Sequence, residues 1–398
     1  MAGPLDGLRV LDLGTRIAAP FCAGLLGEQG AEVIKVEQPG KGDFMREIGP
    51  FVSDANGTEY SLFWAVEGRG RKSVTIDLRR EEGQGLFRRL AATADVVVEN
   101  FRPGTLEQWH IGPGDLDERV VIVRISSFGQ DGPNSHRPGL DRVGIGYGGL
   151  LHLTGYPDQP PVRVGVTISD YLTGVFSAHA AVAALYARDA RNGSGAVIDA
   201  ALYGAVLRIL EWTLPAYGKL GIVRNRQGNR LENSAPLDNY PTTDGKYVCI
   251  VAGSDANFAR LCKAMDRSDL VSEPRFARLA DRAEHGDEIN GIVADWTSTL
   301  SAAEIEERCV EHDVPVATAY TAADIFADAH ISARGDLVTV DDPSVGPLQQ
   351  QAPFPRTVGQ PVVVPAGAPR LGEHTREVLG SLGVSDDELD ALTSEGVL

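Results

Sequence analysis

Short runs of Val and Ile separated by helical patterns constrain this chain more than any other feature in it. Leu8-Arg-Val-Leu-Asp-Leu13, Ala31-Glu-Val-Ile-Lys-Val-Glu37, Ser73-Val-Thr-Ile-Asp-Leu78, Asp95-Val-Val-Val-Glu99, Glu118-Arg-Val-Val-Ile-Val-Arg-Ile125 and Gly195-Ala-Val-Ile-Asp199 read as strands. Residues 18–29 and 80–92 read as helices, and a long helix is expected after the last strand. Strands this apolar must be covered on both faces, and alternation with helices supplies the cover. The pattern therefore predicts an α/β fold, with a Rossmann-like large domain built on a parallel sheet.

Near Tyr217 the character changes. Residues 221–230 are polar, Asp244-Gly245 marks the turn of a hairpin over 238–251, and charged helices follow through Ala327. Residues 1–220 are expected to form the large domain, 221–330 a small α+β domain, and 331–398 a segment returning to the large one, with helices near 375–382 and 385–392. A length of 398 residues exceeds what one hydrophobic core serves. The net charge of −18 argues against nucleic acid and anionic membrane partners, though not against a small anionic ligand met by a local basic group. No unbroken apolar run approaches the roughly 18 residues of a membrane span, and no signal peptide is evident. Cys22, Cys249, Cys262 and Cys309 are scattered, so they read as reduced thiols, mostly core filler, in a cytoplasmic protein without a metal site.

Several catalytic patterns fail. Glu37 sits where a ribose-binding acid would, but Gly14-Thr-Arg-Ile-Ala-Ala-Pro20 places side chains where a pyrophosphate needs bare backbone. Gly193-Ser-Gly195 is no nucleophile elbow. The eight histidines are dispersed, and only His136, in a loop, invites a test. Asp170 has two readings. It lies between a short β-like run at 164–166 and a long small-residue stretch, where a carboxylate is either a helix N-cap or a nucleophile. The cap is the commoner role. Three further segments lie beside strand ends: 126–141, Asn100-Phe-Arg-Pro-Gly104, and the basic Arg69-Gly-Arg-Lys72. The first two follow strands, the edge at which α/β sheets bind ligands.

Taken together, these segments resemble the class III CoA-transferases, the CaiB/BaiF family. The resemblance rests on Leu11-Asp-Leu13 with Ala18-Ala-Pro20, Gly30-Ala-Glu-Val-Ile-Lys-Val-Glu37 with Gly42-Asp43, and Arg71-Lys-Ser-Val-Thr-Ile-Asp77. Asp95 to Gly104, Phe128-Gly-Gln-Asp-Gly-Pro133, Asp244-Gly245, Val314-Pro315 and Leu371-Gly-Glu-His-Thr375 extend it along the whole chain. It implies an interlocked homodimer that takes acyl-CoA and a small carboxylic acid as substrates, without a tightly bound cofactor. It also implies that Asp170 attacks the thioester and comes to carry CoA as an aspartyl-CoA thioester. CoA contacts would fall on Ile17, Ala18, Ile76, Arg79, Asn100, Phe101, Arg102, Gly139, Leu140 and Asp141. Gln38 and Gln108 depart from the nucleotide-contacting side chains of the similar formyl-CoA transferase; carnitine CoA-transferase is another similar member. Only Gly228 stands where the former has a run of glycines.

Within the same family the alternative is a 2-methylacyl-CoA racemase, which needs a histidine where this chain has Leu140 in Gly139-Leu140-Asp141. A non-catalytic acyl-CoA-binding protein is the alternative of a different class, and it would leave Asp170 as a cap only.

Overall fold

Six parallel strands organise the large unit in a computed structural model, which describes residues 3–54, 56–359 and 363–398. They are β1 (Arg9–Asp12), β2 (Glu32–Glu37), β3 (Arg71–Thr75), β4 (Val96–Glu99), β5 (Val121–Ser126) and β6 (Val197–Ala201). Their order across the sheet is β3-β2-β1-β4-β5-β6, every neighbouring pair parallel. This is the doubly wound order, in which the direction of winding reverses between β1 and β4. One face is covered by α1 (Ala18–Glu28), the other by α2 (Glu81–Ala91) together with the C-terminal helices Thr375–Ser381 and Asp386–Ser394. The tail is tied to the edge strand, since Thr75 N donates to Thr375 Oγ1 at 3.0 Å and His374 N to the Ser73 carbonyl at 2.9 Å.

Strand β3 starts two residues before the run expected from Ser73. Its first residue, Arg71, is buried against an acid and so tolerates a strand with no apolar start. Two other expectations fail. The run at 164–166 is irregular and not a strand. The helix after β6 is short, α5 (Leu202–Arg208), because the chain turns through Glu211 at a φ of 52° before Thr213–Leu220 begins.

Between β5 and β6 lie α3 (Asp141–Tyr147) and α4 (Ile168–Ala190). Helix α4 lies against α1, and small residues permit the close approach. A Cβ on Gly174 would stand 2.9 Å from Phe21 Cδ1 and 3.0 Å from the Ala18 carbonyl. By length and composition α4 is apolar enough to cross a membrane, with 23 residues and a mean hydropathy of 1.2. The sequence reading missed this because Ser, Thr and His interrupt the apolar run. In the fold, α4 packs its small residues on α1 and β5.

Met1–Leu150, Val164–Leu214 and Ala333–Leu398 make up this unit, and Leu151–Arg163 with Pro215–Ser332 a second. The expected boundaries left 151–163 in the large domain. The second unit has the expected hairpin, Leu237–Pro241 with Tyr247–Val251, and Val316–Thr318 adds a third antiparallel strand. Helices including Asp255–Ala264, Gly286–Thr297 and Ala302–Glu311 bury its core on this sheet. Gly228 is required by packing within this unit: at a φ of 65°, an added Cβ would lie 2.6 Å from the Tyr156 ring.

Candidate active site

The crevice outside the carboxyl ends of β1 and β4 is where a doubly wound sheet of this order binds ligands. Two loops flank it, residues 13–17 after β1 and 100–104 after β4. Asn100 joins them with two hydrogen bonds to one residue, its Oδ1 accepting from Thr15 N and its Nδ2 donating to the Thr15 carbonyl, both at 2.8 Å. Its amide is thus engaged by protein backbone and acts on any ligand through the loop that it holds.

Beneath the β1 loop lies a buried ionic network. The Lys35 ammonium, on β2, is fully buried between Asp12 at 3.3 Å and Asp43 at 2.8 Å, and it donates to the Gly14 carbonyl. Asp12 also accepts from Gly14 N at 3.0 Å and from Arg71 at 2.6 Å. Asp43 accepts from Arg16 N at 3.0 Å and Met45 N at 2.9 Å. The backbone from Gly14 N to Arg16 N is therefore held at each polar group, which accounts for a left-handed φ of 67° at Arg16, a costly conformation for a residue with a Cβ. The Arg16 guanidinium lies over the Phe44 ring at 4.4 Å.

The start of α4 is fixed from another element. Thr167 occupies the cap position but its side chain makes no capping bond. Asp141, the buried first residue of α3, does so instead, its Oδ1 accepting from Ser169 N at 2.9 Å and Ser169 Oγ at 3.0 Å. Asp170 is the third residue of the helix, and not its cap. Next to it, Tyr171 donates to Glu67 at 2.8 Å and meets Phe21 edge-on, with ring centroids 4.8 Å apart. Both neighbours of Asp170 are anchored, while its own half-buried carboxylate has no hydrogen-bond partner among the described residues. Burial raises its pKa to about 7, with the Asp141 charge adding to the rise and Arg16 opposing it. The positive end of a 23-residue helix lies beneath the carboxylate.

The other expected contact residues differ in what they offer. Ile17 and Ala18 open α1 with their side chains buried. Ile76 is only 1% exposed and its side chain packs in the core, which leaves its backbone for any contact with a ligand. The Asp141 carboxylate is committed to the start of α4 through Ser169. Arg79 grips Asp77 with two bonds of 2.8 and 2.7 Å and remains largely exposed. Phe101 rests edge-on against Trp109. Arg102 has no ion-pair partner among the described residues, Gly139 is partly exposed and Leu140 is 55% exposed. Gln38 and Gln108 are both exposed.

The Arg69-to-Lys72 cluster holds no spare charge: Arg69 pairs with Glu28, Arg71 with Asp12, and Lys72 with Glu32 and Glu377. Glu37 is likewise structural, bound to Arg46 and Ser73. Arg16 and Ser169 escaped notice as candidates. The signal for Arg16 was present in the side chain that disqualified a pyrophosphate loop.

The chain matches the family model of CoA-transferase family III over residues 5–375. It is 42% identical over 399 residues to a succinyl-CoA–D-citramalate CoA-transferase of Chloroflexus aurantiacus, covering 99% of this chain and 98% of that one. It is 33% identical to a succinate–glutarate CoA-transferase of Agrobacterium fabrum, with coverage of 95% and 96%. Among solved structures, a CaiB/BaiF family protein from Brucella suis superposes with a TM-score of 0.85 at 33% identity, over 96% of this chain and 100% of that one.

Proposed function

This chain belongs to CoA-transferase family III and moves CoA between an acyl-CoA and a carboxylate; we propose that Asp170 carries the CoA between them. The observation behind this reading is a half-buried carboxylate without a hydrogen-bond partner among the described residues, on a helix start whose capping is done by Asp141. A carboxylate with a pKa near 7 is more nucleophilic than an ordinary one and is still substantially ionised at neutral pH.

Asp170 Oδ attacks the thioester carbonyl, and the C–S bond breaks to release CoA thiolate and leave a mixed anhydride. The thiolate then attacks the aspartyl carbonyl, expelling the first acid and leaving CoA on Asp170 as a thioester. The second acid attacks that thioester, and the thiolate released takes its acyl group from the new anhydride. Bond energy is exchanged between thioesters, so no nucleotide triphosphate is consumed. Each oxyanion is expected to meet backbone N–H groups near the starts of α1 and α4.

The names of the similar proteins support succinyl-CoA as donor and a four- or five-carbon dicarboxylic acid as acceptor. We further propose a homodimer in the cytoplasm. An apolar stripe on α4, Val175, Phe176, Val182 and Tyr186, is exposed in the single chain and would be covered by a second copy. The free thiols suit a reducing compartment.

The test is Asp170→Ala. Turnover is expected to fall roughly a thousandfold or more with the fold intact. Mass spectrometry of the unaltered protein with succinyl-CoA should show a CoA adduct on the peptide bearing Asp170. Full residual turnover in the variant would remove the nucleophile assignment.

A further inference from the structure

We propose that Arg16 is the specificity-determining residue of this site, binding the remote carboxylate of a dicarboxylic acyl group whose thioester faces Asp170. The proposal rests on the function proposed for Asp170.

Four observations carry it. First, the guanidinium has no hydrogen-bond or ion-pair partner among the described residues, whereas Arg9, Arg71 and Arg124 on the strands of the adjoining sheet are all paired. Second, it is not loose. The Phe44 ring lies 4.4 Å beneath it, supporting one flat face and leaving the N–H edge for a ligand. Third, its backbone is held in a left-handed conformation by Asp43, and the adjoining Thr15 peptide by Asn100. Burying Lys35 with two acids beneath so short a loop is a large investment, and it is intelligible where the side chain must be aimed. Fourth, the loop that carries it runs straight into α1, and α1 packs on the start of α4, where Phe21 meets Tyr171, the residue after Asp170, and Gly174 faces the Ala18 carbonyl; the Arg16 charge accordingly opposes the rise in the pKa of Asp170.

An exposed, pre-oriented guanidinium on the loop before α1 suits a second carboxylate, which it can grip with two parallel bonds. A monocarboxylic acyl chain would leave it unanswered. A CoA phosphate offers the same anionic chemistry, and the experiment separates the two sources.

The dissociation constants of succinyl-CoA, butyryl-CoA and free CoA are measured by calorimetry on the Asp170→Ala protein, with Arg16 retained and with Arg16→Gln. Arg16→Gln should weaken succinyl-CoA roughly 30-fold, in line with a lost charge-assisted pair, and leave butyryl-CoA and CoA within about threefold. Equal weakening of all three ligands would move Arg16 to a phosphate and overturn the proposal, as would no change in any. Circular dichroism of each variant excludes unfolding as the cause. Retained turnover in Asp170→Ala alone would count against the nucleophile and not against Arg16, because these binding constants do not depend on chemistry.

Discussion

The two ends of the central sheet are built on opposite electrostatic plans. At the amino ends of the strands nearly every charge has its partner. Arg9 bonds Glu32 and Thr93, both at 2.7 Å; Lys72 joins Glu32 to Glu377; and Arg188 joins Asp95 to Asp189. A cavity of about 400 Å³ opens there beside Asp6, Arg9, Glu32 and Thr93, and in it Arg9 is already answered by Glu32 and Thr93. At the carboxyl ends, charges deeper in the fold are matched, while Arg16, Arg102 and Asp170 at the surface of the crevice are left without partners among the described residues. A cavity alone is therefore a poor guide to chemistry in this molecule. Unanswered charge, held rigidly by answered charge beneath it, is the better one.

That contrast can be broken by perturbation, and the largest effect on stability is expected from Lys35→Met. Removing the ammonium leaves Asp12 and Asp43 buried without their shared cation, at a cost of about 4 kcal/mol. Urea unfolding measures it, and a loss under about 1 kcal/mol would mean that the network does not order the loop above it.

The second effect has the opposite sign. Asp170 keeps its proton in the fold to about pH 7, whereas in the unfolded chain it releases it near the ordinary carboxylate value of about 3.9. Between those pH values the unfolded state binds fewer protons, so the native protein loses stability as pH rises. Asp170→Asn should therefore match the parent near pH 4 and gain about 2 kcal/mol above pH 7, after allowance for partial solvent access. Thermal unfolding at both pH values checks the sign. Equal stability above pH 7 would show that the carboxylate is better satisfied than its surroundings suggest.

The smallest change is expected at the other end. Arg9→Gln, in a partly exposed pair, should cost about 0.5 kcal/mol and leave CoA transfer unaltered. A tenfold loss of turnover would erase the distinction between the two edges.

Much of this was legible in the residues, for a physical reason. Runs such as Val96-Val-Val-Glu99 can be buried only inside a covered parallel sheet, so the α/β class follows from local pattern. Asp170 could be singled out because an acid opening a small-residue helix has few roles. What could not be read was which acid would cap which helix. Asp141 precedes Ser169 by 28 positions, and only the fold brings them to 2.9 Å. The run at 164–166 looked like a strand because Val164 and Val166 favour extended backbone, but no strand pairs with it among the described residues. Lys35 was hidden for a similar reason: a lysine in mid-strand is compatible with an exposed edge, and its burial depends on Asp43, which follows the strand by a loop. Arg16 was visible as a side chain in the way of one ligand, without the geometry that offers it to another.

The capping of α4 by Asp141 bears on how such an enzyme could change in evolution. Residues 127–140 lead directly into Asp141, so a loop outside the regular elements is spliced to the group that sets the first turn of the reactive helix. Substitutions such as those at exposed Leu140 can reshape the site while keeping the chain's length. An insertion, by contrast, would drag Asp141 off Ser169 and leave that buried N–H unpaired. New substrates are thus reachable from this scaffold by exchanging side chains one at a time, and costly to reach by lengthening the loop.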